Sequence, residues 1–318
     1  MLAGFPLLVP PLALAQSASR MRRVGWLLVG FGSSPREDLQ DALAALAARG
    51  WSEGKSVTYE FRRAHASETG AFDQYARELV RLDSDVLITL GEPSTEAAMR
   101  ATSTIPIVFF AAGDPVARGW VASLNRPTGN VTGFSTLADE QQVKRIEALR
   151  ELVPRLRTIA ILIYGPRSGD QLKREASTKQ RYARDGISIV YVYAGSEADT
   201  DAAIADAARQ GADAILAAAT QYSNASDIAA SAIRHRLPLY GVDPKLVEAG
   251  ALMSLSNDRS EQLEMVADLV DRILRGTKPA DLPVRRATKF EIVVNRSTAR
   301  ALGLRIPQSL LVRARIVA

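Results

Sequence analysis

From Arg23 onward, short apolar runs alternate with stretches of helical periodicity. VGWLLVG (24–30) precedes Asp38–Arg49, in which Leu39, Ala42, Leu43 and Leu46 share one face before Gly50 ends the helix. SVTYEF (56–61) leads into Ala71–Leu82, with Phe72, Tyr75, Ala76, Leu79 and Val80 on the inward side, and DVLITL (85–90) leads through Gly91, Glu92 and Pro93 into Ser94–Ala101. IPIVFFA (105–111) closes this first series at Gly113, Asp114 and Pro115. Strand, helix, strand in repetition predicts a parallel sheet with helices on both faces.

Arg126–Phe134 (RPTGNVTGF) reads as a Gly/Pro-rich crossing segment. A second series follows it: a helix over Asp139–Leu152, the strand RTIAILIY, a helix over Gln171–Arg184, the strand ISIVYVYA and a helix ending near Gln210. DAILAAA, a helix over Asp227–Arg236, LPLYGV, a short helix and ALMSLS complete it. Each series holds about five strands, so the economical arrangement is α/β, two doubly wound parallel-sheet lobes joined by crossings.

In such sheets a ligand sits beyond the carboxyl ends of the strands, where helix N-termini present their N–H groups. The residues expected there are small and polar: Gly32, Ser33 and Ser34; Glu92, Pro93, Ser94 and Thr95; Gly113 and Asp114; Phe134 and Ser135; Tyr164 and Gly165; Thr220, Gln221 and Tyr222; and Asp243. Each is also an ordinary cap or turn residue; the two tyrosines add aromatic area to a mouth otherwise made of caps. Glu92 or Asp114 is the candidate partner for a ligand ammonium, helix N-termini capped at Ser34 and Ser94 for its carboxylate, and Tyr164 and Tyr222 for an aromatic or apolar side chain. Gly30 and Gly32 begin a G-x-G turn, but the third glycine of a dinucleotide fingerprint is replaced by Pro35. Proline there is preorganised for the first helical position, with Ser34 as N-cap and Glu37 three residues on as a capping box. The turn presents backbone N–H groups to a small polar ligand, with a degenerate nucleotide site as the alternative.

The chain of 318 residues has the material for two domains, and its 47% hydrophobic and 24% charged content is that of a globular protein. A net charge of +5 is dispersed among 35 acidic residues, without the basic run that nucleic-acid binding uses. The absence of cysteine removes disulfides, thiolate nucleophiles and Cys-ligated metals. The two histidines, His65 and His235, lie apart and fit surface or helix-end positions better than a metal site or a triad. At the N-terminus, GFPLLVPPLALAQSASR is an apolar run too short to span a bilayer, and Ala13-Leu14-Ala15 marks cleavage before Gln16. It resembles an export signal without its basic leading region; a disordered tail is the alternative.

At Ile105–Ser135 (IPIVFFAAGDPVARGWVASLNRPTGNVTGFS), at ALMSLSND and over Val270–Ala314 (VDRILRGTKPADLPVRRATKFEIVVNRSTARALGLRIPQSLLVRA), the chain resembles the substrate-binding proteins of a bacterial ABC uptake family associated with tryptophan and related amino acids. The resemblance covers nearly the whole mature chain. It implies a type I periplasmic-binding-protein fold with a three-crossing hinge, a ligand trapped by hinge closure, no catalysis and no cofactor. It divides the chain into a leader (1–21), an N-lobe (22–132 plus 258–280) and a C-lobe (133–257), with 281–318 unassigned. Members commonly carry Tyr-Gly where this chain has Leu255 and Ser256. Losing that tyrosine leaves the identity of the ligand open.

The expectation is a periplasmic, monomeric receptor for a small amino-acid-like or aromatic carboxylate ligand, working with an ABC permease in the inner membrane and binding no nucleic acid. The rival is a cytoplasmic nucleotide- or NAD-dependent α/β enzyme, which would need a phosphate loop and an acid/base pair that these motifs lack. A transcription regulator with the same two lobes would need an N-terminal helix-turn-helix module, for which the residues before the first strand leave no room.

Overall fold

The apolar run at the start of the first series is β1 (Arg22–Val29), whose middle residues are all buried. The computed structural model describes residues 20–30, 34–64, 68–136, 138–164, 169–217 and 224–317. After β1 come α1 (Pro35–Asp38), α2 (Gln40–Ala47), β2 (Val57–Ala64), α3 (Thr69–Arg81), β3 (Val86–Leu90), α4 (Glu92–Ala101), β4 (Ile107–Ala112) and β5 (Val131–Ser135). The single helix expected from Asp38 is thus two, parted at Leu39, whose buried side chain turns inward while its N–H bonds Pro35 O.

The second series gives α5 (Ala138–Leu152), β6 (Thr158–Tyr164), α6 (Gly169–Ala183), β7 (Ser188–Ala194), α7 (Thr200–Arg209), β8 (Ala214–Ala217), α8 (Ala225–Arg234), β9 (Leu239–Gly241), α9 (Pro244–Glu248) and β10 (Met253–Asn257). The chain ends with α10 (Arg259–Leu274), β11 (Arg285–Arg286), β12 (Phe290–Asn295), α11 (Arg296–Ala301), α12 (Gln308–Arg313) and β13 (Arg315–Val317).

Two sheets result, ordered β11-β5-β4-β3-β1-β2 and β13-β12-β10-β9-β8-β6-β7. Strands β1 to β5 pair in parallel, as do β6 to β10, and β12 runs antiparallel to β10. Each sheet is covered on both faces, as parallel sheets require. In the first, α2 and α10 bury Leu46, Leu263, Val266 and Val270 against Trp26 and Ile88, and α3 and α4 bury Phe72, Leu79 and Ala98 against Leu87 and Phe109. In the second, Ile146 and Leu149 of α5 pack on Ile159 and Ile161, and Ile204 and Ile228 pack on Leu162 and Ile215 from the other side.

The segment Arg126–Phe134 corrects the sequence expectation. Its last residues, with Ser135, form β5, a strand buried at every position in the first sheet, so the change of lobe follows Ser135 and not residue 132. Gly133 is there for close strand approach: a Cβ on it would fall 2.2 Å from Phe109 O, at a point where the β4–β5 register shifts. The tail is divided between the sheets, β11 joining β5 and β12 with β13 extending the second sheet past β10.

The chain passes between the sheets three times, after β5, after β10 and after β11. The second and third passages are lashed together by the Glu261 carboxylate, which accepts from Thr288 N (3.1 Å), Lys289 N (2.9 Å) and the Thr288 hydroxyl, while Asp258 N donates to Lys289 O at 3.0 Å. Lys144 of α5 sits 3.7 Å from the Phe290 ring centroid, and Gln141 donates to Asn257 Oδ1, tying α5 to the other two passages. Among the described residues no helix is long and apolar enough to cross a membrane.

Candidate functional site

All three passages leave from strand carboxyl ends, so the carboxyl ends of both parallel sets face the junction of the lobes. Both lobes also share one topology. In each, the second strand lies on one side of the first and the remaining strands run out on the other, giving β2-β1-β3-β4-β5 and β7-β6-β8-β9-β10. The strand order therefore reverses between β1 and β3 and again between β6 and β8, and such switch points are where loops part and open sheets bind ligands. The candidate site is the gap between these two crevices.

On the first lobe, Gly32 and Ser33 lie outside the described residues. Ser34 is the N-cap of α1, accepting from Glu37 N at 3.4 Å, and Pro35 opens the helix. At α4 the cap is Gly91 (φ +91°), not Ser94: Glu92 and Pro93 form the first turn. Ser94 and Thr95 are fully buried ties between helix and strand, Ser94 Oγ donating to Leu90 O at 2.8 Å and Thr95 Oγ1 lying 2.8 Å from Thr89 Oγ1. Neither hydroxyl faces the gap, because the helix begins two residues earlier than its apolar pattern suggested.

Glu92 and Asp114 both have partners within the protein, so neither stands as a free carboxylate. Glu92 pairs with Arg118, which also reaches Glu96 at 3.3 Å and lies 5.7 Å from the Trp120 ring centroid. Asp114 Oδ1 accepts from Val116 N (2.9 Å) and Ala117 N (3.0 Å), a turn-forming use of the side chain. Gly113 packs beside Glu92, whose Oε1 would be 3.3 Å from an added Cβ, and Gly113 O accepts from Ser135 Oγ at 2.7 Å. Phe134 has no exposure and packs 6.2 Å from the Phe110 ring centroid, inside the core and away from the gap.

On the second lobe, Gly165, Thr220, Gln221 and Tyr222 lie outside the described residues. Tyr164 ends β6 half-buried, its hydroxyl 2.5 Å from Thr200 Oγ1 and accepting from Asn224 Nδ2 at 2.6 Å. Thr200 opens α7 and Asn224 caps α8, so three separate carboxyl-end loops meet at one hydroxyl. Asp243 is the N-cap of α9, accepting from Lys245 N at 2.8 Å. Asn224 and Arg118 escaped the sequence reading; an asparagine directly before the apolar face of α8 was the available signal for the first, and nothing local marked the second.

His235 caps the far end of α8, its Nε2 3.3 Å from Asp201 Oδ1, and His65 lies outside the described residues. Hydrogen bonds from Ser231 (2.6 Å) and then Arg234 (2.7 Å) draw the Asp201 carboxyl down to about 2. An NMR titration is expected to find Asp201 still ionised at pH 3, and Ser231→Ala to move its midpoint upward; an ordinary midpoint in the wild type would contradict the geometry. Among the described residues no group of three or more His, Cys, Asp or Glu is placed to hold a metal ion. A groove of about 460 Å³ beside Thr104, Asn130 and Lys278 lies at the amino ends of β4 and β5, the side away from the gap.

Two α/β lobes of one topology, facing each other across their switch points and linked by three passages, define a two-lobed solute receptor of the type I periplasmic-binding class. The chain belongs to the family of ABC transporter substrate binding proteins, whose family model matches residues 34–318. It is 26% identical over 266 residues to the tyrosine-binding protein of Clostridioides difficile (strain R20291), covering 82% of this chain and 75% of that one. A conserved domain protein from Vibrio cholerae O1 biovar El Tor superposes with a TM-score of 0.77 at 31% identity, over 94% of this chain and 100% of its own. An ABC domain in complex with L-Trp from Streptococcus pneumonia superposes at 0.75 with 25% identity, over 93% and 99%. The receptor and fold expectations stand in this form, and nothing in the comparisons supports the nucleotide-dependent enzyme.

Proposed function

We propose that this receptor captures an aromatic α-amino acid or a closely related aromatic carboxylate between its lobes and hands it to an ABC permease in the inner membrane, without chemical change. The observation that carries the reading is the pair of facing switch points, each ringed by helix N-termini. It is supported by relatives named for tyrosine binding and for a bound L-Trp. A ligand touching both lobes favours the closed arrangement by its extra contacts there, which is how binding becomes a signal the permease can read. On the first lobe the Glu92–Arg118 pair and the N-terminus of α4 are the nearest groups for the ligand's ammonium and carboxylate. Ser34 lies beside them, and Tyr164 with Asn224 stands opposite. The receptor works as a periplasmic monomer after cleavage before Gln16, within a segment (1–19) that lies outside the described residues.

The test is a thermal-shift screen of purified protein against amino acids, aromatic acids, sugars and dinucleotides. Tryptophan or tyrosine is expected to raise the melting temperature by several degrees at saturating concentration, because a ligand that binds only the folded state stabilises it. A response confined to sugars or dinucleotides, or turnover of the bound compound, would overturn the reading.

A further inference from the structure

We propose that the outer pole of the second lobe, the end of its sheet farthest from the gap, is a docking surface for an anionic phospholipid bilayer. The basic residues are scattered along the chain, but the fold gathers several of them there. In a parallel sheet each connection returns to the amino end of the next strand, so the residues just before a strand stand at that pole. Arg155 and Arg157 precede β6, Arg184 precedes β7 and Arg236 precedes β9. Arg296 and Arg300 join them because β12 runs antiparallel to β10 and delivers α11 to the same end, where Thr298 Oγ1 donates to Gly250 O at 2.9 Å shortly before β10. The sheet order spreads the six from β12 through β10, β9, β8 and β6 to β7, about 24 Å at the usual strand spacing.

Charge at this pole is unbalanced. All six arginines are exposed, and among the described residues none of their side chains has a hydrogen bond or ion pair. The carboxylates nearby are all engaged. Asp213 Oδ2 accepts from Arg157 N (2.8 Å) and Thr158 N (2.9 Å), Asp185 Oδ2 accepts from Gln142 Nε2 (2.9 Å), and Asp206 and Glu248 pair with Arg209 (3.0 Å) and Arg315 (3.6 Å). Glu151, in the last turn of α5, pairs with Arg313 and accepts from Ser309 Oγ, which seats α12 at the same pole. Leu310 anchors α12 with no exposure, while Leu311 is 39% exposed and Val312 78%, the most exposed large apolar side chain among the described residues.

Uncompensated guanidinium groups attract anions of many kinds, and two features choose among them. No Phe, Tyr or Trp stands in the connections at this pole or in α11 and α12, so there is no ring on which nucleic-acid bases could stack. Exposed aliphatic side chains beside basic ones suit a lipid interface, where the charges meet phosphate headgroups and the apolar groups enter the acyl boundary. Because the pole lies at the opposite end of the sheet from the gap, a receptor resting on lipid keeps the gap open to solute.

Flotation of the full chain with lipid vesicles tests this. Vesicles containing phosphatidylglycerol should bind the protein, and vesicles of phosphatidylcholine alone should bind it far less. The apolar N-terminal run would partition into both, so the difference between them reports the charges. Salt at about 1 M, which shortens the screening length to about 3 Å, should remove that difference. Each basic group at an anionic surface is worth about fivefold in partitioning, so the double variant Arg296→Gln, Arg300→Gln should lower binding to the anionic vesicles by about 25-fold. Val312→Ser should weaken it as well. The double variant Arg81→Gln, Arg126→Gln removes the same charge from exposed positions of the first lobe and should change binding by less than about twofold. Cooperative melting of each variant controls for folding, and an unchanged thermal response to tryptophan separates this surface from the proposed function. Equal losses in the two double variants, equal binding to both kinds of vesicle, no effect of Val312→Ser, or tighter binding of a duplex oligonucleotide through the same arginines overturns the proposal.

Discussion

Gly133→Val is expected to destabilise the protein by about 3 kcal/mol or more, read as a lowered midpoint in urea unfolding with the slope unchanged. Gly133 pairs with Phe109 across β4 and β5, and a Cβ would lie 2.2 Å from Phe109 O and 2.6 Å from Phe109 Cγ. The first obstacle is backbone inside a sheet, which cannot swing aside as the end of a long side chain can. Phe109 is itself fully buried against Trp120, their ring centroids 5.6 Å apart, so the ring has nowhere to retreat. Relief must come from shifting β5, which moves Ser135 and the start of the first passage between the lobes. Ligand affinity should therefore fall together with stability. A valine variant within 0.5 kcal/mol of wild type would show that the close approach is not required.

Glu261→Ala is expected to cost about 2 kcal/mol and to loosen the link between the lobes. The lost bonds are those from Thr288 N, the Thr288 hydroxyl and Lys289 N, charge-assisted but partly open to solvent, which keeps the sum below that of a buried carboxylate. Burial pushes the Glu261 carboxyl upward, yet the Thr288 and Lys289 hydrogen bonds outweigh it and hold the group below its ordinary value. A depressed carboxylate stabilises the fold fully above its unfolded pKa, about 4.3, and the contribution fades as pH falls through the folded value. The wild type and the alanine variant should accordingly differ in unfolding midpoint at pH 7 and converge as the solution is acidified toward pH 2. A gap that stays constant over that range would place the effect of the substitution somewhere other than the charged clamp. Because Glu261 lies away from both switch points, a change in ligand affinity in this variant reports on lobe movement and not on contact.

The apolar run of β1, the inward face of α3 and the strand-like segments at β6 and β7 were legible because burial is written locally. A strand buried on both faces reads as a continuous apolar run and a helix as a 3.6-residue stripe, whatever they pack against. Ser34 and Pro35 were likewise readable, since a cap acts within its own first turn. RPTGNVTGF misled for the converse reason: its glycines signalled turns, yet Gly133 answers to a carbonyl on the neighbouring strand, a partner absent from the local sequence. The Glu92–Arg118 pair was illegible in the same way, its partner lying in another loop, whereas the turn that Asp114 closes on Val116 is local and was open to the sequence reading.

What the sequence by itself determined is the alternation of strands and helices, hence an α/β chain of two series whose ligand belongs at carboxyl-end loops, because those conclusions follow from periodicity and caps that act over a few residues. Only the tertiary structure decided that β5 belongs to the first sheet, that the tail is shared between the sheets, and that Tyr164, Thr200 and Asn224 converge on one hydroxyl. Those facts depend on contacts between residues far apart in the chain, and a side chain's partner there is set by how whole sheets and helices stack, which no local pattern of hydrophobicity records.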